Sequence, residues 1–234
     1  MKGSENRIAK AAGIILAWAV ILFTTAAAVY AMAGDGSMLS REMLRHAPPE
    51  TTGLPEAEYE GVCRMTAAYL TGREKAFQYV FSDAEGRRYA CFQDHEADHM
   101  EDCRSLIRLA GSLRWIAGGA ALLLISAGIL LRKEKRAFAK GMLLGLAAAG
   151  VIASAAVLWA VIDFDGFFTA FHRIAFTNEG WLLNPRTDLL IRLMPTNFFI
   201  ALGAKLTLRI IAATGITGLI AWIISKQRGL IRNS

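Results

Sequence analysis

The chain has 234 residues, a formal net charge of +6 and 54% hydrophobic residues. Soluble globular proteins usually contain about 45–50% apolar residues, so this composition argues against a soluble protein and predicts a membrane protein. A nucleic-acid-binding protein would carry its basic residues on one folded face, whereas here many of them flank apolar segments, so the charge indicates membrane topology and no nucleic-acid partner.

Four apolar segments are long enough to cross a bilayer, which takes about 20 residues. They are 11–32, 113–131, 141–162 and 206–224. The first ends in Ala31-Met32-Ala33, a pattern that signal peptidase cuts, but it is longer than the roughly 7–15 apolar residues of a signal peptide. We therefore expect an uncleaved anchor. Glycines in the second and third segments predict close helix packing: Gly118, Gly119, Gly141, Gly145 and Gly150.

The distribution of Lys and Arg predicts the orientation, because these residues collect in cytoplasmic segments. With a cytoplasmic N-terminus, the inner segments contain two acids, Glu5 and Glu134, and many more basic residues. The basic residues are Lys2, Arg7, Lys10, Arg132, Lys133, Lys135, Arg136, Lys140, Lys226, Arg228 and Arg232. We predict a single all-α membrane domain, 1–234, with four spans and both termini cytoplasmic. Two extracytoplasmic loops, 33–112 and 163–205, form a small cap.

The first outer loop contains three predicted elements. Helical spacing of apolar residues predicts an amphipathic helix over 56–70, which lies on the membrane or on the other loop. The β-prone runs 77–81 and 88–92, separated by a turn-prone piece, predict a hairpin. Residues 95–109 predict a helix that continues into the second span.

All three cysteines, Cys63, Cys91 and Cys103, lie in this loop. The predicted topology puts them on the oxidising side of the membrane. One disulfide is compatible with an odd number of cysteines, and the sequence does not identify its two partners.

The stretch 171–199 lies between two apolar segments and is rich in charged, amide and aromatic side chains. Polar groups at a membrane boundary are costly unless they are used, so this stretch is the first candidate for a site. Its aromatic residues are expected at head-group level: Phe171, Phe176, Trp181, Phe198 and Phe199.

A second pattern, His95-Glu96-x-x-His99, matches the metalloprotease motif H-E-x-x-H. On a helix it would place two imidazoles on one face for zinc, with Glu96 as general base and His172 as a distant third ligand. Asp98 inside the motif and the charged surroundings argue against a zinc site, so a zinc-dependent membrane hydrolase is the second hypothesis. A non-enzymatic membrane interaction or sensor protein is the third.

Two blocks of the sequence resemble the lipoprotein intramolecular transacylases (Lit), a family of four-span bacterial membrane proteins. One is His99-Met100-Glu101-Asp102, followed by Cys103 where the family usually has Val. The other begins at Phe171-His172, extends over nearly thirty residues, and departs from the family at Thr196, where an acidic residue is expected. Its matching residues are Phe171, His172, Phe176, Trp181, Leu182, Leu183, Pro185, Asp188, Leu189, Leu190, Ile191, Leu193, Pro195, Phe198 and Phe199.

The resemblance implies an enzyme of the bacterial cytoplasmic membrane, with its site on the extracytoplasmic face and lipoproteins and membrane lipid as partners. It would move the sn-2 acyl chain of a diacylglyceryl group onto the α-amine of the lipoprotein's N-terminal cysteine. No metal or other cofactor is implied. The family's two essential histidines map to His99 and His172.

An imidazole can take the proton of an amine as that amine attacks an ester, so the residue chemistry agrees with this assignment. We expect His99 as general base and His172 as proton donor or oxyanion partner, or the same two roles exchanged. Asp102 or Asp188 could orient an imidazole.

Further side chains of these blocks could bind the substrate. The arginines could hold a lipid carbonyl or phosphate, or form ordinary surface pairs, and the aromatic residues could line an acyl slot or belong to an interfacial belt. They are Arg173, Arg186, Arg192, Trp181, Phe198 and Phe199.

Overall fold

The structure, a computed structural model, describes residues 2–130 and 132–227. Its helices are α1 Lys2–Ala33, α2 Gly36–His46, α3 Pro49–Thr52, α4 Glu56–Leu70, α5 Asp94–Leu130, α6 Lys135–Ile162, α7 Phe164–Ala175, α8 Leu189–Leu193 and α9 Thr196–Lys226. Strands β1 Val80–Ser82 and β2 Arg88–Ala90 form a hairpin, and a 3-10 turn covers Arg132–Glu134.

Four helices, α1, α5, α6 and α9, are long and apolar enough to cross a membrane. They contain the four predicted spans, which confirms the predicted fold class. Leu131, predicted as the end of the second span, and the predicted cytoplasmic residues Arg228 and Arg232 lie outside the described residues.

Three of these helices extend well beyond the predicted apolar segments. Helix α9 begins at Thr196, ten residues before the predicted span, directly after Pro195, whose carbonyl accepts the amides of Phe198 and Phe199. Hydropathy marks the apolar part of a helix only, whereas the backbone ladder continues through polar residues until a breaker or cap stops it. Residues expected to be loop at the start of α9 are therefore helical.

The chain divides into two compact units. The loop unit consists of Ala27–Gly111 and Trp159–Leu206, and the span unit consists of Met1–Ala26, Ser112–Leu158 and Thr207–Ser234.

Within the span unit, glycines bring α1 and α6 into backbone contact. A Cβ atom on Gly141 would collide with the Lys10 carbonyl, and one on Gly13 would collide with the Phe138 carbonyl. A Cβ on Gly145 would lie 2.7 Å from that of Ala17. The close approach expected at Gly141 and Gly145 is thus present.

The other predicted packing glycines differ. Gly118 lies against the Phe23 ring, where a Cβ would be 3.2 Å away. Gly119 and Gly150 have open space, with nothing within 4 Å of a Cβ. A glycine in a span therefore does not by itself identify a helix contact.

In the loop unit, α4 occupies the predicted range 56–70 and packs against α2. Tyr59 anchors it, because its hydroxyl donates to the Ala47 carbonyl at 2.5 Å and lies 2.6 Å from the Thr52 hydroxyl. The buried face of α4 belongs to one apolar core that contains residues of its own loop, such as Met43, and of the other outer loop, such as Leu190 and Leu193.

The predicted hairpin is present as an antiparallel pair with Val80 opposite Ala90 and Phe81 opposite Tyr89. Its rings stack with a centroid distance of 5.5 Å between Phe81 and Tyr89.

All three cysteines are free. The Cys63 sulfur is buried and lies 3.2 Å from the Met43 sulfur, and burial raises the pKa of the Cys63 thiol to about 12. Cys63 is therefore a packing residue.

A buried carboxylate, Glu96, holds the first turn of α5 against α8. Glu96 is fully buried, and its two oxygens accept the Gln93 amide at 2.8 Å and the Leu190 amide at 2.7 Å. The Gln93 side chain adds a bond to the Thr187 carbonyl at 3.1 Å. Residues almost a hundred positions apart are fixed together by these bonds.

A second set of polar contacts, made by Asp188, joins the start of α5 to the segment before α8. Its carboxylate is 2% exposed and lies 3.0 Å from His95 Nε2, 2.6 Å from the Thr187 hydroxyl and 2.8 Å from the Asn184 amide. Burial acts to raise the pKa of this carboxyl group, but the hydrogen bonds outweigh it and hold the pKa below its ordinary value. Asp188 thus remains ionised and orients His95.

We expect Gly141→Ala to destabilise the span unit by about 1–3 kcal/mol, because the added methyl group must push α1 away from α6. Gly150→Ala is the matched control on the same helix, and it should leave stability unchanged or raise it, since alanine is the better helix former. Thermal unfolding in detergent compares the two variants. Equal midpoints would contradict the proposed backbone contact.

We expect Glu96→Ala to lower the free energy of unfolding by about 3 kcal/mol, because it leaves two buried amides without an acceptor. Glu101→Ala removes an exposed carboxylate from the same helix and should change stability by less than about 0.5 kcal/mol. Denaturant unfolding in mixed micelles measures both. Similar values for the two variants would show that Glu96 does not join α5 to α8.

Candidate active site

His99 and His172, 73 positions apart in sequence, meet in the loop unit. His99 lies on α5 and His172 on α7, and their ring centroids are 6.3 Å apart. Both are buried, with 8% and 7% of their surface exposed. At this separation the two imidazoles are close enough to act on the same small group of a substrate.

Helix α7 places His172 through its own backbone. The helix is capped at its start by Asp163, whose side chain accepts the Gly166 amide at 2.9 Å. One turn before His172, the Phe168 carbonyl accepts a hydrogen bond from Nδ1 at 2.7 Å. The proton of the neutral ring is therefore on Nδ1, and Nε2 carries the free lone pair.

The environment keeps His172 neutral. Burial lowers the pKa of its imidazole below the ordinary value of 6.5, and the hydrogen bond to Phe168 opposes that effect without cancelling it. At neutral pH the ring is thus an uncharged base.

His99 has one ring nitrogen that the protein leaves unused. Its Nε2 lies 3.6 Å from the Cys103 sulfur, one turn along α5. Its Nδ1 is buried and has no hydrogen-bond partner in the part of the chain that the structure describes. An unpaired buried polar atom costs about 1–3 kcal/mol, so this nitrogen is suited to a group that arrives with the substrate.

Aromatic rings surround the two histidines. Around His172 they are Phe168 at 4.1 Å, Trp181 at 5.0 Å, Phe171 at 5.3 Å and Phe176 at 5.5 Å between ring centroids. Phe176 also contacts His99 edge-on at 5.3 Å, and Phe199 packs on Phe168 at 4.8 Å. These rings make the site apolar, which strengthens any hydrogen bond formed inside it.

Two of the aromatic residues expected at head-group level are core residues. Phe176 is 8% exposed and Phe198 is 1% exposed. Phe198 packs in the core of the loop unit with Leu193 and Met100. Protein packing therefore covers both rings, and their expected depth at head-group level stays a prediction.

The acidic residues expected to orient the catalytic imidazoles have other partners. Asp188 contacts His95, as described above. Asp102 accepts the Asn178 side-chain amide at 2.9 Å, and Asn178 in turn accepts the Gly180 amide. Asp102 thus fastens the turn before Trp181 to α5 and contacts neither imidazole by a hydrogen bond.

The three arginines of the stretch differ in their surroundings. Arg192 donates to the carbonyls of Asp188 at 3.2 Å and Thr52 at 2.9 Å, so its guanidinium joins α3 to α8. Arg173 and Arg186 are exposed. Arg173 borders an open depression on α7 together with Asp165 and Ile174.

Two residues of the His-Glu-x-x-His pattern, His95 and Glu96, are used for packing. Both Glu96 oxygens accept main-chain amides, and His95 pairs with Asp188. Among the described residues, no group of three or more His, Cys, Asp or Glu side chains could hold a metal ion.

Sequence reasoning missed three residues of the site. Phe168 is detectable from its position one turn before His172, where a carbonyl can reach Nδ1. Cys103 lies one turn after His99 and could have been found by the same spacing. Asn178 has no comparable signal, since its contact to Asp102 depends on the folded loop.

Comparisons with known proteins agree with this architecture. The sequence profile of the lipoprotein intramolecular transacylase Lit matches residues 13–199. A comparison with curated sequences gave no significant match. The crystallised integral membrane transacylase Lit from Bacillus cereus superposes with a TM-score of 0.74 at 18% identity, covering 96% of this chain and 97% of that one.

A histidine-to-arginine variant of the same Bacillus cereus protein superposes with a TM-score of 0.70 at 17% identity, covering 96% and 94% of the two chains. At such identities these structures establish the shared fold, and the profile match covers most of the chain. The chain therefore belongs to the lipoprotein intramolecular transacylase (Lit) family and is an integral membrane acyltransferase.

Proposed function

We propose that the enzyme moves the sn-2 acyl chain of a diacylglyceryl-modified lipoprotein onto the α-amine of the lipoprotein's own N-terminal cysteine. The product carries an amide-linked acyl chain and an S-monoacylglyceryl group. The observation that carries the proposal is the buried pair of His99 and His172, 6.3 Å apart, in an aromatic site on a membrane-spanning chain.

His172 is the general base. Its tautomer is fixed by Phe168, so the Nε2 lone pair is free to take the proton of the attacking amine. The hydrogen bond to the Phe168 carbonyl holds the imidazole ring and fixes its tautomer, as the carboxylate of a catalytic triad does. The sequence leaves open which of the two histidines accepts the proton, and this hydrogen bond favours His172.

His99 is the donor to the reacting oxygens. The Cys103 thiol can donate to Nε2, which places the ring proton on Nδ1, the buried nitrogen without a partner. An Nδ1–H group in that position would stabilise the oxyanion that develops on the ester carbonyl.

The reaction then balances without an enzyme nucleophile. The amine nitrogen bonds to the ester carbonyl carbon, and His172 takes the proton that the nitrogen loses. Collapse of the tetrahedral intermediate breaks the bond to the glyceryl oxygen, which receives that proton from His172. Because amine and ester belong to one molecule, the transfer benefits from high effective concentration.

The site lies on the extracytoplasmic face of a bacterial cytoplasmic membrane, and the chain acts as a single membrane domain. The excess of Lys and Arg in the segments around Lys10, Lys133 and Lys226 supports a cytoplasmic location of those segments. His99 and His172 lie in the two loops that the same topology puts on the other side of the membrane. We further propose that Trp181 and Phe199 line the acyl slot and that Phe198 supports Phe199 from the core, where the two rings pack edge-on. Exposed Arg173 and Arg186 face lipid head groups.

Mass spectrometry of the N-terminal peptide of a lipoprotein, with and without the enzyme, tests the proposal. We expect an unchanged number of acyl chains with one of them on the amine, and no effect of a chelator. His99→Ala and His172→Ala should each lower conversion at least about 100-fold, since each removes a proton-transfer group.

His95→Gln is the matched control, since glutamine can still donate to Asp188 and the reaction does not use His95. It should retain conversion within a fewfold of the original enzyme. Loss of an acyl chain, inhibition by a chelator and inactivity of His95→Gln would together indicate a zinc hydrolase. Full activity of the His99, His172 double variant would disprove the catalytic pair.

The pH dependence follows from the lowered pKa of His172. The substrate amine, with a reference pKa near 8, must be neutral to attack, so the logarithm of the single-turnover rate should fall with slope one below about pH 8. Because the pKa of His172 lies below 6.5, the slope should steepen to two only below pH 6.5. A second break, from slope one to slope two, at or above pH 6.5 would exclude His172 as a buried neutral base.

A further inference from the structure

A basic cavity lies in the span unit, separate from the histidine site. It has a volume of about 490 Å³ and is formed by α1, the 3-10 turn and α6. Its lining contains five cationic side chains and one carboxylate, Glu134. The cations are Arg7, Lys10, Lys133, Arg136 and Lys140.

None of the five cations makes an ion pair within residues 2–130 and 132–227. Arg136 donates from Nε to the Gln227 carbonyl at 2.7 Å, which fixes its guanidinium beside the cavity. Ordinary membrane topology requires basic residues in the cytoplasmic segments, but it does not require them to converge on one cavity. Like charges confined together repel, and an anionic ligand relieves that repulsion.

The walls of the cavity are held in place. The Lys10 carbonyl touches Gly141, and the Phe138 carbonyl touches Gly13, so the first turns of α1 and α6 that carry the cations cannot separate without loss of helix packing. The backbone positions on α1 and α6 that carry the charges are therefore preorganised, which reduces the entropic cost of binding.

An apolar face continues from the cavity along α6. Residues at intervals of three and four after Lys140 share its face of the helix, and among them Leu144 is 49% and Val151 is 72% exposed. On α1, Ile15 is 57% exposed. A basic cavity that adjoins an exposed apolar face matches a ligand with a charged head and apolar chains better than it matches a free anion.

We propose that this cavity binds the phosphate head group of an anionic phospholipid, with the acyl chains lying on the exposed faces of α1 and α6. Lys and Arg side chains near a membrane surface attract anionic lipids, and basic pockets between transmembrane helices are suited to phosphate head groups. The proposal does not depend on the catalytic one, because the two sites share no residue.

The test is a titration of the full-length protein in neutral detergent, followed by native mass spectrometry. The probes are dioleoyl phosphatidylglycerol, dioleoyl phosphatidylcholine and inorganic phosphate. We expect binding of phosphatidylglycerol at least about tenfold tighter than of phosphatidylcholine. Lys10→Gln with Lys140→Gln should weaken phosphatidylglycerol binding about tenfold or more.

The matched control, Lys135→Gln with Lys226→Gln, removes the same charge outside the cavity and should weaken binding less than twofold. A second pair, Arg7→Gln with Lys133→Gln, changes exposed cavity residues and serves if the first pair does not fold. Equal losses in cavity and control variants would overturn the proposal by showing general surface attraction. Equally tight binding of phosphate or phosphatidylcholine would overturn the assignment to an anionic lipid.

Discussion

The site depends on one buried carboxylate that joins distant parts of the chain. Glu96 is fully buried, and its oxygens bind the start of α5 to the start of α8 through the Gln93 and Leu190 amides. An ionised carboxylate out of water is costly unless charge-assisted hydrogen bonds offset the loss of solvation. Because these bonds form only when α5 and α8 are adjacent, the same interaction that keeps the carboxylate stable sets the geometry of the loop unit.

The convergence of the two histidines follows from that constraint. His99 lies less than one turn after Glu96 on α5, so its position is fixed once the start of the helix is held. The loop between α7 and α8 is anchored at both ends, by Asn178 on Asp102 and by Asp188 on His95. His172 packs on Trp181 of that loop at 5.0 Å, and the imidazole pair is therefore held from two independent directions.

The sequence was informative where one physical signal dominates. Hydropathy located the four spans, helical periodicity located α4, and alternating β-prone runs located the hairpin around Phe81 and Tyr89. The two histidines came from the family pattern, since composition and spacing do not bring His99 and His172 together. Their partners were not predictable, because Asp188 and Asp102 each had several imidazoles or amides within plausible reach, and only the tertiary fold selects among them.

The fate of the His-Glu-x-x-His pattern shows how local spacing and tertiary context compete. The i, i+4 spacing does put His95 and His99 on related faces of α5, as a zinc site needs. His95 is half-exposed and faces Asp188, whereas His99 is buried beside His172 and Phe176. A zinc ion would require Glu96 to face the metal-bound water, but its carboxylate is enclosed and saturated by two main-chain amides. The motif therefore separates into a structural half, His95 and Glu96, and a site half, His99, and the side-chain chemistry of each half follows from its burial.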